Sequence, residues 1–278
     1  KDILYYLSTH PQYTNHFVEL QTNCRQELAE SRILEFSEGY ITDGEVSPDL
    51  KTKLLSGDTE VSKGFRIHFW QTEEDLTKKI DEEFEYLSEQ LKLNGDKLSK
   101  LNQLFELTPA GKLPPNGNFD LENFQILSPY KSDFFGTGQI NDYFQAVYKK
   151  DLELDIMDDW FKQSDKIIRT KNYYVKSHLL LSNGSVGIIR KDKDTKLYFP
   201  ELDEPMDLYG DEGIRSREQE YFDLAYAITV HKSQGSGFSH TFFVLPKKPG
   251  LLSKELIYTA LTRSRKSITI FKIGRAHV

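Results

Sequence analysis

The C-terminal stretch of this chain constrains its fold more tightly than any other part. Residues 224–230 form an apolar run built from Leu224, Ala225, Tyr226, Ala227, Ile228 and Val230, and a polar turn with two glycines follows at 231–237. A second apolar run occupies 241–245, a helix is expected over 253–262, and a third run covers 267–271. Short, mainly apolar runs alternating with a helix read as the strands of an α/β layer. Two more β-α units are legible upstream. Phe17 to Leu20 leads into helical spacings of Leu28, Ile33, Phe36 and Tyr40, while Phe124 to Leu127, stopped by Ser128-Pro129, precedes Ile140, Phe144, Val147 and Tyr148. The chain therefore reads as an α/β domain.

Two regions depart from this alternation. Thr72-Glu73-Glu74-Asp75 has the signature of a helix start, and Leu76, Ile80, Phe84, Leu87 and Leu91 follow as one apolar stripe. A break at Asn94-Gly95, a short helix through Leu98, Leu101 and Leu104, and a Pro/Gly/Asn-rich linker at 109–118 complete a segment expected to be a helical surface insertion. From Asp165 the texture changes to short strands. Leu179 to Leu181, the turn 182–185 and Val186 to Ile189 suggest a hairpin, and 196–199 supplies a further strand. An acidic loop around 210–213 then returns the chain to Phe222, so a small β-barrel inserted into the α/β domain is expected.

Composition excludes several classes of function. The chain has 278 residues, 38% of them hydrophobic, enough for a core and about two domains. A single cysteine, Cys24, excludes a disulfide framework and points to a reducing, cytoplasmic compartment. No apolar run approaches the ~20 residues of a membrane span and no signal peptide opens the chain, so no membrane partner is expected. The net charge of −7 argues against coating nucleic acid by bulk electrostatics, so any such site must be local. His10, His16, His68, His178 and His240 lack metal-ligand spacing, and no metal site is expected. The chain begins at Lys1 rather than Met, and 273–278 reads like a translated sequencing adaptor; an artefactual tail on a truncated sequence is the expectation.

Chemistry concentrates in two places. The turn His231-Lys232-Ser233-Gln234-Gly235-Ser236-Gly237 sets donors and glycines where backbone N–H groups can approach a phosphate. A polar loop with two flexible glycines fits the same residues. Helical spacing aligns Arg263 with Leu256 and Ala260 beside the buried stripe and turns Arg265 away. A cation beside a buried face needs an anionic partner, either a structural carboxylate or a bound phosphate. No Gly-x-x-x-x-Gly-Lys-Ser/Thr phosphate loop occurs: Gly111-Lys112 runs straight into Leu113-Pro114-Pro115.

Taken in order, Ala225 to Gly235 and Tyr258 to Arg263 resemble motifs V and VI of superfamily 1 helicases, in the manner of the RecD-like 5′→3′ branch. Leu20-Gln21-Thr22-Asn23-Cys24-Arg25-Gln26 is similar to motif IV. Phe124 to Lys131 with Gly136-Thr137 and Ile140-Asn141 looks like the branch's Leu-Ser-Pro strand and following helix. Residues 165–173 with Asn183-Gly184 and Gly187 resemble the opening of its SH3-like insert. The sequence departs from the family at Gly237, where a glutamate is common, at Cys24, which replaces an aromatic, and at Ser185, which replaces an acid.

The resemblance implies a RecA-like parallel-sheet domain, helicase domain 2A. Its first part would span 1–164 with the insertion and linker at 72–118, the SH3-like insert 2B would span 165–222, and the second part would span 223–272. It further implies Arg263 and Arg25 as catalytic phosphate contacts, and an ATP site formed by Arg25, Gln234, Gly235 and Arg263. Single-stranded DNA would be contacted by Ser128, Tyr130, Lys131, Asn172, Tyr173, Thr229, His231, Lys232, Ser233 and Gln234. ATP and Mg²⁺ are the implied cofactors, with the phosphate loop and metal carboxylates on a missing N-terminal RecA-like domain. The implied protein is an ATP-dependent DNA helicase, monomeric or part of a larger repair or recombination complex, whose C-terminal fragment alone is inactive. A non-catalytic nucleic-acid-binding module and an RNA-directed member of the same superfamily are the alternatives.

Overall fold

The computed structural model describes residue 10 and residues 32–41, 46–115, 117–156, 160–191, 193–207, 221–247 and 252–274. Helices α1 (Ile33–Ile41) and α2 (Pro48–Ser56) lead into strands β1 (Glu60–Ser62) and β2 (Phe65–Trp70), then helices α3 (Glu73–Gln90) and α4 (Lys97–Leu104). Strand β3 (Phe124–Ser128) precedes α5 (Thr137–Tyr143), which continues as a π-helical turn over Phe144–Tyr148. Short strands follow: β4 (Leu154–Ile156), β5 (Phe161–Lys162), β6 (Asp165–Arg169), β7 (Tyr173–Val175), β8 (His178–Leu181), β9 (Val186–Lys191), β10 (Thr195–Tyr198), β11 (Met206–Asp207) and β12 (Phe222–Leu224). Strand β13 (Ala227–Thr229), β14 (Phe238–Leu245), α6 (Lys254–Leu261) and β15 (Ser264–Ile273) close the chain.

The principal sheet has the order β1-β2-β15-β14-β3-β13. All its pairings are parallel except the edge pair β1-β2. Alternation along the strands feeds two cores. Phe124, Ile126, Phe242, Val244 and Phe271 face α3, α4 and α5, whereas Leu127, Phe243, Ile268 and Ile270 face α1, α2 and α6. The result is a helix-sheet-helix sandwich, consistent with a RecA-like domain.

Strand β2, whose Phe65, Ile67 and Trp70 are buried, was not legible in the sequence. The expected strand 17–20 and motif-like segment 20–26, with Arg25, lie outside the described residues. The expected surface position of 72–118 is corrected. Helix α3, capped where Thr72 accepts from the Asp75 N–H at 3.2 Å, buries Leu76, Ile80, Phe84 and Leu87 on the sheet. It is a core layer. A polar clamp fixes it there: the Glu83 carboxylate accepts from Arg66 Nε (2.8 Å), His68 Nε2 (2.6 Å) and Thr269 Oγ1 (2.9 Å). Burial opposes ionisation of Glu83, but the His68 hydrogen bond and the Arg66 charge prevail and hold its carboxyl below the usual range.

The short strands form a second sheet, β11-β10-β9-β6-β12, antiparallel throughout. Ile167, Ile189, Leu197, Phe199 and Phe222 make its core. Among the described residues, the segment expected to form a small β-barrel supplies this five-stranded antiparallel sheet, with β11 and β12 at its edges. The expected hairpin between 179–181 and 186–189 is also corrected, because β8 pairs with β7 while β9 pairs with β6 and β10. Lys176 and Ser177, both at positive φ (47° and 69°), make the tight two-residue turn that joins β7 to β8.

Buried polar groups seat the insert on the main domain. Asp165, fully buried at the start of β6, accepts from Tyr226 Oη (2.7 Å) and Gln145 Nε2 (2.6 Å) and pairs with Lys149 Nζ (3.1 Å). The adjacent Lys166 is fully buried and donates to the carbonyls of Leu121 (2.8 Å) and Phe124 (2.9 Å) and to Gln125 Oε1 (2.9 Å). Burial pushes its ammonium down to about 7. Among the described residues no helix is long and apolar enough to cross a membrane, and no cluster of three or more His, Cys, Asp or Glu could hold a metal ion.

Candidate functional site

The polar turn begins where β13 ends, at the sheet edge. Thr229 pairs with Ser128 of β3, which brings the two predicted DNA segments side by side. The turn is internally bonded: Ser233 N–H donates to Thr229 O (3.1 Å), Ser233 Oγ to Val230 O (2.7 Å), Gln234 N–H to His231 O (3.2 Å) and Ser236 N–H to Ser233 O (3.1 Å). Gly235 sits at φ +94°, a left-handed conformation that a side chain would strain. These bonds display His231 and Gln234 in solvent and leave Lys232 half-buried, with Nζ 3.5 Å from Asp223 Oδ2. Ser233 is fully buried with its hydroxyl engaged, so the direct DNA contact expected of it is replaced by a role in shaping the turn.

Arg263 joins this turn to the last helix. Helix α6 ends at Leu261 with Thr262 as its C-cap, so Arg263 lies just past the helix rather than on it. Its burial beside the apolar stripe is as the spacing suggested, at 7% exposure. The guanidinium donates through Nε to Thr259 O (3.1 Å) and through Nη1 to Ser236 O (2.9 Å). In return, Phe238 N–H donates to Arg263 O at 2.7 Å. The two motif-like segments thus clasp each other through side chain and backbone. Arg265 does point elsewhere, reaching Glu122 at 2.7 Å. A Cβ on Gly237 would stand 2.9 Å from Arg265 Nε, so Arg265 occupies the space that a larger residue at the family's departure point would need.

Three clefts surround the turn. One of about 440 Å³ brings together Lys131, Thr229 and Lys232, with Asn141, Asp142, Trp160 and Asp223 in its walls. A second, about 460 Å³, is lined by Lys232, Gln234 and Ser236 and by Asn183 to Ser185 of the insert. The third, about 220 Å³, lies between His231 and Gln234 on one side and Ser253, Glu255 and Thr259 of the α6 region on the other. One short loop therefore faces the insert side and the α6 side at once.

Other expected contacts fare differently. Ser128 is fully buried, donates to Phe135 O (2.8 Å) and accepts from Tyr130 N–H (3.3 Å), so it positions the loop and does not present a hydroxyl to DNA. Tyr130 is buried against Phe135 with ring centroids 5.7 Å apart, and likewise offers no exposed face. Lys131, next in sequence, is exposed in the first cleft. Asn172 is exposed and accepts from Asn183 N–H at 2.7 Å, bordering the second cleft, whereas Tyr173 packs on the insert core.

Sequence reasoning missed Trp160 and the corner-holding role of Asn141. The buried amide of Asn141 donates to Leu224 O (3.0 Å) and Ala227 O (3.0 Å) and accepts from Ala227 N–H (2.7 Å), pinning the passage from insert to β13. The only signal for Trp160 was a large aromatic between acidic and polar neighbours, Asp158-Asp159 and Lys162-Gln163.

Comparison with known proteins shows what the chain is similar to. Residues 224–270, the segment holding both the turn and Arg263, match the family model of the UvrD-like helicase C-terminal domain. The RecD subunit of the RecBCD enzyme from Buchnera aphidicola is 32% identical over 155 residues, covering 54% of this chain and 25% of that protein. The ATP-dependent RecD2 DNA helicase of Deinococcus radiodurans is 29% identical over 143 residues, covering 51% and 19%. Over these stretches the chain is similar to the C-terminal part of RecD-like helicases, and it spans a quarter or less of the length of these relatives. Bacteroides Pif1 in complex with ADP-AlF3 and single-stranded DNA aligns with 91% of this chain and 51% of its own at 16% identity and a TM-score of 0.40, too weak a likeness to equate positions.

Proposed function

We propose that this chain is the C-terminal motor lobe of an ATP-dependent 5′→3′ DNA helicase: it binds single-stranded DNA along the turn 231–237 and completes an ATP site formed with an N-terminal lobe. The clasp between Arg263 and the turn carries the reading, because it ties a buried arginine to the loop that carries Lys232 and displays Gln234. ATP bound with Mg²⁺ between the lobes would supply the phosphoryl-transfer chemistry that powers the motor. Arg263 fits the phosphate side of such a site. Its planar fork suits phosphate oxygens, and to reach them it gives up the Ser236 carbonyl, which frees the turn to shift. Gln234 and Gly235 lie at the same junction, and Arg25 would be the second phosphate contact. No residue of this chain is assigned to Mg²⁺.

On the DNA side, Lys131 and Lys232 are cations in one cleft, and Thr229 and His231 flank them. Asn172 and the loop 182–185 would line the continuing path, with the antiparallel insert read as an SH3-like module. The site is local, as a chain of charge −7 requires. The whole protein is read as cytoplasmic and active in DNA repair or recombination.

The test replaces Lys232 and Gln234 by alanine and measures single-stranded DNA affinity against salt. Loss of one lysine-phosphate contact should flatten the slope of log K against log salt by roughly 0.7. Wild-type affinity and slope in the double variant would remove the turn from the DNA path.

A further inference from the structure

Trp160 is the most exposed large apolar side chain among the described residues, at 62%. Its backbone is held: the N–H donates to Ile156 O at 3.2 Å and the carbonyl accepts from Gln145 Nε2 at 3.1 Å. The next residue, Phe161, is buried in the insert core. Trp160 itself, exposed on a backbone held at both polar groups, lines the 440 Å³ cleft. The volume falls within the ordinary range of small-ligand sites.

The charges in that cleft are balanced. Lys131 and Lys232 meet two carboxylates, Asp142 and Asp223. A phosphate lodged among all four would face repulsion from the acids. A neutral base that carries N–H donors would not, and its flanking phosphates could lie on the lysines. Buried Phe222 supplies an apolar floor.

We propose that this cleft receives one base of single-stranded nucleic acid, stacked on the Trp160 indole, with the adjoining phosphates on Lys131 and Lys232. The inference rests on the DNA path proposed above and adds to it a base-reading position on the insert side of the turn. Aromatic stacking tolerates any base, since every base has a π-face, so the pocket sets position along the strand without fixing sequence. The bond between Lys232 and Asp223 is exchanged for a phosphate contact as the base enters.

The chain contains two tryptophans, and Trp70 is fully buried, so a change in fluorescence on titration reports Trp160. Titration with oligo(dT) should quench the exposed emission, whereas an abasic oligonucleotide of equal length should bind more weakly and leave it unquenched. Trp160→Ala should weaken oligo(dT) binding, followed by anisotropy, roughly fivefold or more with the salt slope unchanged, because stacking releases no counterions. Trp160→Phe should keep affinity within about twofold of wild type, since a ring remains to stack. Oligo(dT) that binds without quenching, and equally well to Trp160→Ala, would overturn the base pocket and leave the DNA path intact. If no single strand binds at all, the DNA path and the base pocket fall together.

Discussion

Replacing Arg263 by alanine tests whether the clasp is a structural bond or a resting place. The guanidinium makes two charge-assisted bonds to carbonyls, at 2.9 Å to Ser236 and 3.1 Å to Thr259. Hydrogen bonds involving a charged group contribute about 1.5–3 kcal/mol each. The half-buried Ser236 carbonyl recovers part of that from water, so a net loss of about 2–4 kcal/mol is expected. At an unfolding entropy of about 2.1 cal/mol/K per residue, this lowers the melting temperature of the 278-residue chain by roughly 3–7 °C. Arg263→Lys, a point charge without the fork, should recover about half of the loss. Differential scanning calorimetry gives the stability, and amide exchange across 231–237 should rise in the alanine variant before the sheet opens. If Arg263→Ala melts within a degree of wild type with unchanged exchange in the turn, the guanidinium is not holding the turn and the clasp is wrong.

Further outcomes follow from other sites. Burial, then the charge of Lys266, pushes the His240 imidazole down to about 4, below its ordinary 6.5, so stability present above pH 6.5 should drain away as pH falls towards 4. The loss amounts to roughly 3 kcal/mol, and His240→Gln should flatten that part of an equilibrium denaturation series; an identical pH profile in the variant would refute the assignment. Gly187→Ala should cost about 1–3 kcal/mol, because a Cβ there lies 2.6 Å from Tyr198 O and 2.7 Å from the Phe199 ring. Intrinsic fluorescence on urea titration reads that change, and a neutral result would mean that β9 and β10 are looser than drawn. The 278-residue chain alone should release no phosphate from ATP above background, with or without DNA, since it has no phosphate loop; DNA-stimulated turnover would contradict the half-motor reading.

The parallel half of the fold was readable because its strands are buried on both faces. The runs at 124–127 and 241–245 are dominated by apolar residues, and their polar members, Gln125 and Thr241, are themselves buried. Strand β2 escaped because Arg66 and His68 interrupt its apolar residues, and both side chains are held by Glu83, a residue of α3. The same long-range clamp, together with many surface charges, made α3 look like an outlying helix when it is a layer of the core. At the candidate site, residue type singled out the loop but not the direction of each side chain. Ser128 and Ser233 carry hydroxyls that suit DNA, yet backbone carbonyls within the fold take both. Trp160 was illegible because sequence periodicity says nothing about an aromatic that the core leaves out.

The insert is entered and left through neighbouring strands: Leu224 of β12 pairs with Ile167 of β6, and Phe222 with Arg169. Its two ends are therefore side by side, so the main sheet loses no strand order if the segment between them changes length or identity. Such a module can be exchanged in evolution or by design as a graft at a single doorway. The doorway is guarded, because Asp165 and Lys166 sit at the entry strand with Tyr226, Lys149, Gln125 and two backbone carbonyls bound to them. A transplant that ends at Arg169 and resumes at Phe222 should dock in its native orientation, whereas one that replaces 165–166 would carry the graft without its socket.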